Sequence, residues 1–374
     1  MINFGRTNTD RLALWWRNID KLLFISIIFL MFLGIFFAYT STSNIASERI
    51  YKTDHFLIIK HIFFALISFL ILSSLSLLDA KQVEKYCILG FIITAFLLLL
   101  VLIFGVEVKG SKRWINLIFF RFQPVEVYKP FFVLLCSLII SNSQIGDLKL
   151  RIFYSFCVLF FSLLLLLNQP DVGQSLLIFS VWLILIFVSG ISIALLISLG
   201  LAIFVGISST LLLFNERFSY IFRRLKTFID PSKGDNLQTQ KALESIKQGG
   251  FTGRGIGEGV LKERVPEAHT DFVLAVIGEE FGILMILIIF LTMTFIFLRI
   301  FTQFSMENNS FRKLVLVGLS CLVYLQSIIN LGVTLNILPN KGMTFPFISY
   351  GGSSMIGCAI IFGILLCFTK RKLS

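Results

Sequence analysis

Long apolar runs recur along almost the whole chain, and they constrain its fold more than any other feature of the sequence. Each run has about 18 or more residues, which is the length that an α-helix needs to cross the hydrocarbon core of a bilayer. Backbone polar groups inside a bilayer must be satisfied within the protein, and a helix does this within one segment. We therefore predict an all-α integral membrane protein with ten transmembrane helices, at residues 22–40, 57–78, 86–105, 125–141, 152–168, 172–190, 191–214, 272–298, 314–335 and 348–369.

The composition excludes an ordinary soluble protein and argues against a nucleic-acid partner. Hydrophobic residues make up 56% of the 374 residues, and 42 residues are phenylalanine. A net charge of +12 is typical of a membrane protein with basic cytoplasmic loops near anionic headgroups, and the sequence contains no nucleic-acid-binding motif. All six cysteines lie in apolar runs without metal-ligand spacing, so we interpret them as small apolar fillers.

The distribution of Lys and Arg predicts the orientation of the chain in the membrane. Basic residues cluster before the first predicted helix and after the last, and basic residues in short loops mark the cytoplasmic side. Both termini are therefore predicted to be cytoplasmic, which requires an even number of crossings. This gives a cytoplasmic tail at 1–21, a single membrane domain at 22–369, a cytoplasmic tail at 370–374, and an extracytoplasmic loop at 215–271 between helices seven and eight.

The segment 215–271 interrupts the apolar pattern with ten Lys or Arg, eight Asp or Glu and seven Gly. It ends at Asp271, directly before an apolar helix, and a carboxylate at a membrane edge is costly unless it has a partner or a function. Asp271 is therefore the first candidate functional residue. The predicted outer loop 106–124 is also basic, so both loops suit either an anionic ligand such as a diphosphate or anionic lipid headgroups.

Two pairs of charged residues lie within predicted helices. Glu126 and Lys129 are three residues apart near the start of the fourth helix, where they can pair on one face; a structural ion pair is slightly favoured over substrate contact. Glu279 and Glu280 lie about two turns into the eighth helix and must face the bundle interior or water. A proton relay, substrate contact and structural pairing are all open for these two, and Lys341 is a candidate charge partner.

Three polar segments have structural interpretations beside functional ones. Asp171 is expected to stabilise the N-terminus of the sixth helix. The glycines of 253–259 resemble a phosphate-binding loop, but no strand precedes them, so they more simply let the backbone approach a headgroup or a neighbouring loop. The irregular stretch 338–354 is expected to be covered by protein and to line a cavity near the outer surface.

Metal binding is only weakly indicated by the sequence. His269 lies two residues before Asp271, while the other histidines lie far away in the chain, so a histidine-based site has little support. A divalent cation such as Mg²⁺ or Mn²⁺, held between Asp271 and a diphosphate, stays open because hard cations prefer oxygen ligands.

Taken together, these motifs resemble those of the SEDS family (shape, elongation, division and sporulation) of polytopic peptidoglycan glycosyltransferases. The most specific matches lie at 346–354 and 266–272, followed by Gly278-Glu279-Glu280, and weaker support comes from 168–171 and 112–115.

Within the family, the segment 341–344 and the N-terminal Trp15-Trp16 pair are more similar to members that act in cell division than to members that act in elongation. Val125 and Leu237 depart from the family pattern, which weakens any role for those two side chains.

The resemblance implies polymerisation of lipid II into β-1,4-linked glycan strands at the bacterial cytoplasmic (inner) membrane, at the division septum. Asp271 matches the family's catalytic aspartate and is expected to be the general base, with a lipid diphosphate as the leaving group. The residues expected to contact substrate are Arg113, Gln238, His269, Lys341 and Ser349. The residues expected to shape the cavity are Glu126, Lys129, Glu279 and Glu280.

The partners that the resemblance implies are lipid II, a class B penicillin-binding protein (a transpeptidase) and other membrane proteins of the division machinery. Two alternatives stay open: a lipid II flippase, because a membrane bundle with internal charges also fits a transporter, and a non-catalytic scaffold of the division complex. The polar motifs cluster at the predicted outer edge rather than at the midplane, which favours surface chemistry over transport.

Overall fold

The computed structural model describes residues 11–42, 53–108, 111–117, 120–213, 237–260, 268–339 and 342–370. The α-helices in these ranges are α1 (Arg11–Asn18), α2 (Lys21–Thr42), α3 (Thr53–Leu77), α4 (Ala80–Phe104), α5 (Pro124–Ser141), α6 (Leu148–Asn168), α7 (Val172–Val188), α8 (Ile193–Leu213), α9 (Leu237–Gly249), α10 (Val273–Met306), α11 (Ser310–Thr334) and α12 (Gly352–Phe368). Three short strands precede α5, and they are β1 (Val106–Val108), β2 (Ser111–Asn116) and β3 (Arg121–Phe122).

Seven helices in the described part of the chain are long and apolar enough to cross a membrane, namely α2 to α6, α10 and α11. The helices α7 and α12 are apolar but have 17 residues each. The helix α8 contains a shorter apolar stretch, Leu196–Gly206. Each predicted membrane segment overlaps one of these helices, although the last segment, predicted to begin at 348, is helical only from Gly352. The chain is a multi-pass helical membrane protein, as predicted. The number of crossings stays a prediction.

The helix α3 illustrates how the outer helices of the bundle are built. Ile59, Phe63, Leu66 and Leu70 recur every three or four residues and are 55–63% exposed. This spacing places them on one face of the helix. A contiguous apolar face of this size is expected where a helix meets lipid, because lipid tails are as apolar as the side chains.

The helix α12 is buried almost all round, and small residues let its neighbours approach closely. At Gly363 a Cβ atom would lie 2.8 Å from the Cβ atom of Leu75 on α3. At Gly357 a Cβ atom would lie 2.5 Å from the carbonyl oxygen of Glu126 on α5. Glycines at such contacts allow the close backbone packing that stabilises helix pairs in membranes. The start of α5 is therefore fixed against α12.

The two ends of the described chain meet at the same end of the bundle. The indole nitrogen of Trp15 in α1 donates to the Ser76 hydroxyl at the end of α3 (2.9 Å). The amine of Lys370, after α12, donates to the carbonyl of Leu78 just beyond α3 (2.8 Å). The predicted N-terminal tail at 1–21 therefore contains a helix that packs on the bundle.

The predicted outer loop 106–124 contains a small antiparallel sheet in the order β1-β2-β3, which the sequence did not indicate. The backbone N–H of Gln123, after β3, donates to the Ser353 hydroxyl in the first turn of α12 (2.9 Å). The sheet is thereby held at the end of the bundle opposite α1, and it carries Arg113 to the turn between α6 and α7.

Candidate functional site

Asp271 lies two residues before α10, in a short turn that is anchored by its buried neighbours Ala268 and Phe272. The side-chain amide of Asn330 in α11 donates to the Asp271 carbonyl (3.0 Å), and the Tyr350 N–H donates to the His269 carbonyl (2.9 Å). The backbone on both sides of Asp271 is therefore fixed to other elements. The Asp271 side chain is partly exposed.

The segment 342–351, which leads into α12, packs against the Asp271 turn. Gly342 adopts a left-handed backbone (φ 65°), and a Cβ atom there would lie 3.4 Å from the Oδ2 atom of Asp271. Within the segment, the N–H of Phe345 donates to the Ser349 hydroxyl (2.8 Å). Phe345, Phe347 and Ser349 are each 1% exposed. The prediction of an irregular, protein-covered stretch here is confirmed.

A buried ion pair lies beneath this segment. The Oε2 atom of Glu126 and the amine of Lys129 are 2.8 Å apart, and the two residues are 4% and 0% exposed. Glu126 also accepts a hydrogen bond from the Gln174 amide (2.9 Å), and Lys129 donates one to Gln326 (2.9 Å). Charges buried in this way need partners of good geometry, which both have. The predicted pairing of Glu126 with Lys129 is confirmed.

Two amides of α11, four residues apart, connect the helices to the segment 342–351. Gln326 donates to the Thr344 carbonyl (2.9 Å), and Asn330 donates to the Met343 carbonyl (2.6 Å) as well as to Asp271. Neither residue was among the candidates predicted from the sequence. Their signal was present, since polar side chains at i and i+4 in an apolar helix lie on one face and form interhelical hydrogen bonds.

Arg113 lies on β2 and contacts the turn between α6 and α7. Its guanidinium donates to the carbonyls of Gln169 (3.4 Å) and Pro170 and pairs with Asp171 (3.6 Å). Asp171 in turn accepts the N–H of Gln174 (3.4 Å), which confirms its predicted place at a helix N-terminus. Burial raises the pKa of Asp171, and the Arg113 charge opposes this rise.

Glu279 lies in α10 and is 1% exposed. Its carboxylate accepts the N–H of Val260 (3.0 Å) and pairs with Arg254 (3.5 Å). Structural pairing, one of the three roles left open for Glu279, is thus observed with Arg254. The candidate partner Lys341 lies outside the described residues.

The remaining predicted substrate contacts are placed as follows. Gln238 is half-buried in the first turn of α9, a helix that packs on α10 through Ile246 and Gly278. His269 is half-buried in the Asp271 turn, whereas the hydroxyl of Ser349 is buried against backbone. Substrate contact by these residues stays a prediction.

The residues around Asp271 form one hydrogen-bonded set, which we call the Asp271 cluster. Its members are Arg113, Glu126, Lys129, Asp171, Gln174, Asp271, Gln326, Asn330 and the segment 342–351. Across the described part of the chain, no group of three or more His, Cys, Asp or Glu residues could hold a metal ion.

The apolar helices define a multi-pass membrane protein. The partly exposed Asp271, on a fixed backbone at one end of the helical bundle, gives this protein a polar site at one surface. The family model of FtsW, RodA and SpoVE proteins, described as "Cell cycle protein", matches residues 20–373. The chain therefore belongs to this family, the SEDS family.

Individual relatives agree with the family match. The chain is 33% identical over 370 residues to a "Probable peptidoglycan glycosyltransferase FtsW" of Caulobacter vibrioides, covering 99% of this chain and 94% of the relative. It is 34% identical over 361 residues to the protein of the same name in Haemophilus influenzae, covering 93% and 89%.

Solved structures support the fold. A chain described under "Structural coordination of polymerization and crosslinking by a peptidoglycan synthase complex" superposes with a TM-score of 0.75 at 24% identity, covering 94% of this chain and 97% of that one. The rod shape determining protein RodA of Thermus thermophilus gives a TM-score of 0.69 at 22% identity, covering 95% and 97%.

Proposed function

We propose that this protein is a peptidoglycan glycosyltransferase that polymerises lipid II into β-1,4-linked glycan strands, with Asp271 as the general base. The observation that carries the proposal is the placement of Asp271, whose side chain is partly exposed while its backbone is fixed by Asn330 and the segment 342–351. The names of the relatives support the same activity.

The chemistry assigned to Asp271 is one proton transfer. The hydroxyl of the acceptor sugar attacks the anomeric carbon of the donor, a C–O bond forms, and the bond to the lipid diphosphate breaks with inversion. The carboxylate of Asp271 accepts the proton of the attacking hydroxyl, and the lipid diphosphate leaves with the electron pair. A fixed backbone suits this role because the base must lie within hydrogen-bond reach of that hydroxyl.

The leaving group carries negative charge and requires positive charge nearby. Lys112 and Arg121 are exposed on the small sheet, and Lys247 is exposed at the end of α9. These three are the described basic residues that we assign to the diphosphate. Arg113 is assigned to holding the turn at Asp171, because its guanidinium contacts the carbonyls and the carboxylate of that turn.

The same proposal includes the topology and the location. We infer ten crossings, with both termini in the cytoplasm and the Asp271 cluster on the outer face of the bacterial cytoplasmic membrane, at the division septum. The contacts of Trp15 and Lys370 at the end of α3 support an even number of crossings. We also infer a class B penicillin-binding protein as partner, which the match to a chain of a peptidoglycan synthase complex supports.

The experiment separates the transferase from its two rivals. The full chain is purified into nanodiscs with its penicillin-binding partner, and both glycan strands and transbilayer movement of lipid II are measured. A transferase makes strands that require Asp271, whereas a flippase moves lipid II without making strands. A scaffold does neither, so absence of strands from the wild-type complex would reject the proposal.

A further inference from the structure

The helix α10 is broken near its start, at Gly282. This glycine has φ 78° and ψ 175°, so α10 consists of a half-helix, 273–281, and a longer helix, 283–306. The left-handed region is open to glycine at little cost. Every residue from Val273 to Glu280 is buried, so the half-helix is enclosed on all sides.

A break in a helix leaves carbonyl groups before it and N–H groups after it without helical partners. A loop at 249–260, here called the glycine loop, supplies both kinds of partner. The N–H groups of Arg254 and Gly255 donate to the carbonyls of Glu279 (2.9 Å) and Glu280 (3.1 Å). On the other side of the break, the Ile283 N–H donates to the Gly250 carbonyl (3.0 Å).

Glycines make this approach sterically possible. At Gly249 a Cβ atom would lie 2.0 Å from the carbonyl oxygen of Gly278, and at Gly253 one would lie 2.1 Å from that of Glu280. The resemblance of 253–259 to a phosphate-binding loop is therefore explained by backbone contact with α10. The sequence predicted that these glycines let the backbone approach a headgroup or a neighbouring loop. The close approach is observed, but the neighbour is the helix α10.

The Glu279 carboxylate locks the glycine loop onto the half-helix. It accepts the N–H of Val260 at the end of the loop, and it pairs with Arg254 in the middle of the loop. Glu279 is 1% exposed, whereas the Arg254 side chain is 38% exposed, so the pair runs from the interior to the surface.

We propose that Glu279 and Arg254 form a brace that sets the position of Asp271, so that Glu279 is a positioning residue for glycosyl transfer. The inference rests on the proposed function. At 1.5 Å per residue, Asp271 lies about 12 Å along the half-helix from Glu279. A tilt of the half-helix by about 5° about Glu279 would move Asp271 by about 1 Å, and a displacement of that size can cost about 10²-fold in rate.

The test compares Glu279→Gln and Arg254→Gln with the wild type in lipid II polymerisation, using the full chain with its penicillin-binding partner. The Glu279→Gln variant keeps an acceptor for the Val260 N–H and removes only the charge. We expect kcat to fall about 10- to 100-fold in either variant, with KM for lipid II within about twofold. The double variant should be no worse than either single variant, because both remove one interaction.

Three controls make the result specific. Arg254→Lys keeps the charge and should retain at least about half of kcat. Glu258→Gln changes an exposed carboxylate of the same loop and should leave kcat unchanged. Asp271→Asn marks the rate expected when the base itself is lost.

Hydrogen exchange of the half-helix gives a readout that is independent of catalysis. The amides of 273–281 should exchange about tenfold faster in Glu279→Gln and Arg254→Gln than in the wild type. Unchanged kcat with unchanged exchange would overturn the brace, even if Asp271→Asn is inactive. An active Asp271→Asn with faster exchange would instead overturn the base assignment and leave the brace standing. If Glu279→Gln fails to fold, the more exposed Arg254→Gln decides.

Discussion

The two parts of α10, on either side of the break at Gly282, are stabilised by different interactions. In 283–306, Leu284, Leu291 and Leu298 are 48–62% exposed at seven-residue spacing, while residues such as Ile289 and Ile296 are buried. The helix 283–306 thus has one exposed apolar face and one buried apolar face, and its hydropathy is sufficient to predict it as a membrane helix. The half-helix 273–281 is enclosed, carries two carboxylates and accepts hydrogen bonds from the glycine loop, while the Asp271 turn just before it is held by α11 and the segment 342–351. Sequence changes should therefore be tolerated in the first region and costly in the second.

The largest expected loss of stability comes from the buried pair of the Asp271 cluster. Lys129→Gln leaves the charge of Glu126 buried without its cation, which should lower the free energy of unfolding by about 3–5 kcal/mol. Thermal unfolding in nanodiscs measures this. The double variant Glu126→Gln/Lys129→Gln removes both charges and should recover part of the loss. A wild-type unfolding temperature for Lys129→Gln would refute the expectation.

Breaking the contact between the glycine loop and α10 should have the next largest effect. At Gly282 a Cβ atom would lie 2.2 Å from the Phe251 carbonyl, in a left-handed backbone. We expect Gly282→Ala to destabilise the protein by about 3 kcal/mol, from backbone strain plus displaced hydrogen bonds. Thermal unfolding in nanodiscs measures this change as well.

The matched control for Gly282→Ala is Leu291→Ala in the lipid-facing half. Leu291 is 62% exposed, so its truncation should change stability by less than about 0.5 kcal/mol. Equal unfolding temperatures for the two variants would contradict the claim that the break in α10 is more sensitive to substitution than the lipid-facing part.

The smallest of the three effects on stability is expected at Arg113, and it should depend on pH. Burial raises the pKa of Asp171 above its ordinary value, so the stability that this group contributes is lost as the pH rises through the folded-state pKa. Arg113→Gln removes the opposing charge, which raises that pKa further and should cost about 2 kcal/mol near neutral pH.

The difference between Arg113→Gln and the wild type should shrink as the pH is lowered, because protonation of Asp171 removes the carboxylate charge that Arg113 offsets. Thermal unfolding at about pH 7.5 and about pH 5 measures the change. Gln238→Ala, a change in α9 away from this turn, serves as a reference without a pH-dependent difference. A difference that stays constant between the two pH values would contradict the assignment to Asp171.

The sequence predicted the helices well because an apolar run long enough to cross a bilayer has few alternatives to a helix. It also predicted that Asp271 lies at a helix start, that Glu126 pairs with Lys129, and that the stretch before the last helix, observed at 342–351, is irregular. These predictions depend on neighbours in the chain or on burial.

What the sequence did not reveal depends on contacts between distant segments. The break at Gly282 is stable only because the glycine loop supplies its hydrogen bonds. A glycine in a predicted membrane helix does not by itself indicate that the helix is broken there. Lys341 was a candidate partner of Glu279 because any nearby cation fits by charge, whereas the geometry that brings Arg254 to Glu279 comes from the folded glycine loop. The strands β1 to β3 are too short for a period-two pattern to stand out.

The measurement that tests the central claim most directly is the rate of lipid II polymerisation by Asp271→Asn. Its matched control is Asp147→Asn, an exposed aspartate before α6. With both variants in nanodiscs with the penicillin-binding partner, we expect Asp271→Asn to lose about 10²–10⁴-fold in rate while Asp147→Asn polymerises like the wild type. Strands formed at the wild-type rate by a folded Asp271→Asn protein would contradict the assignment of Asp271 as the base.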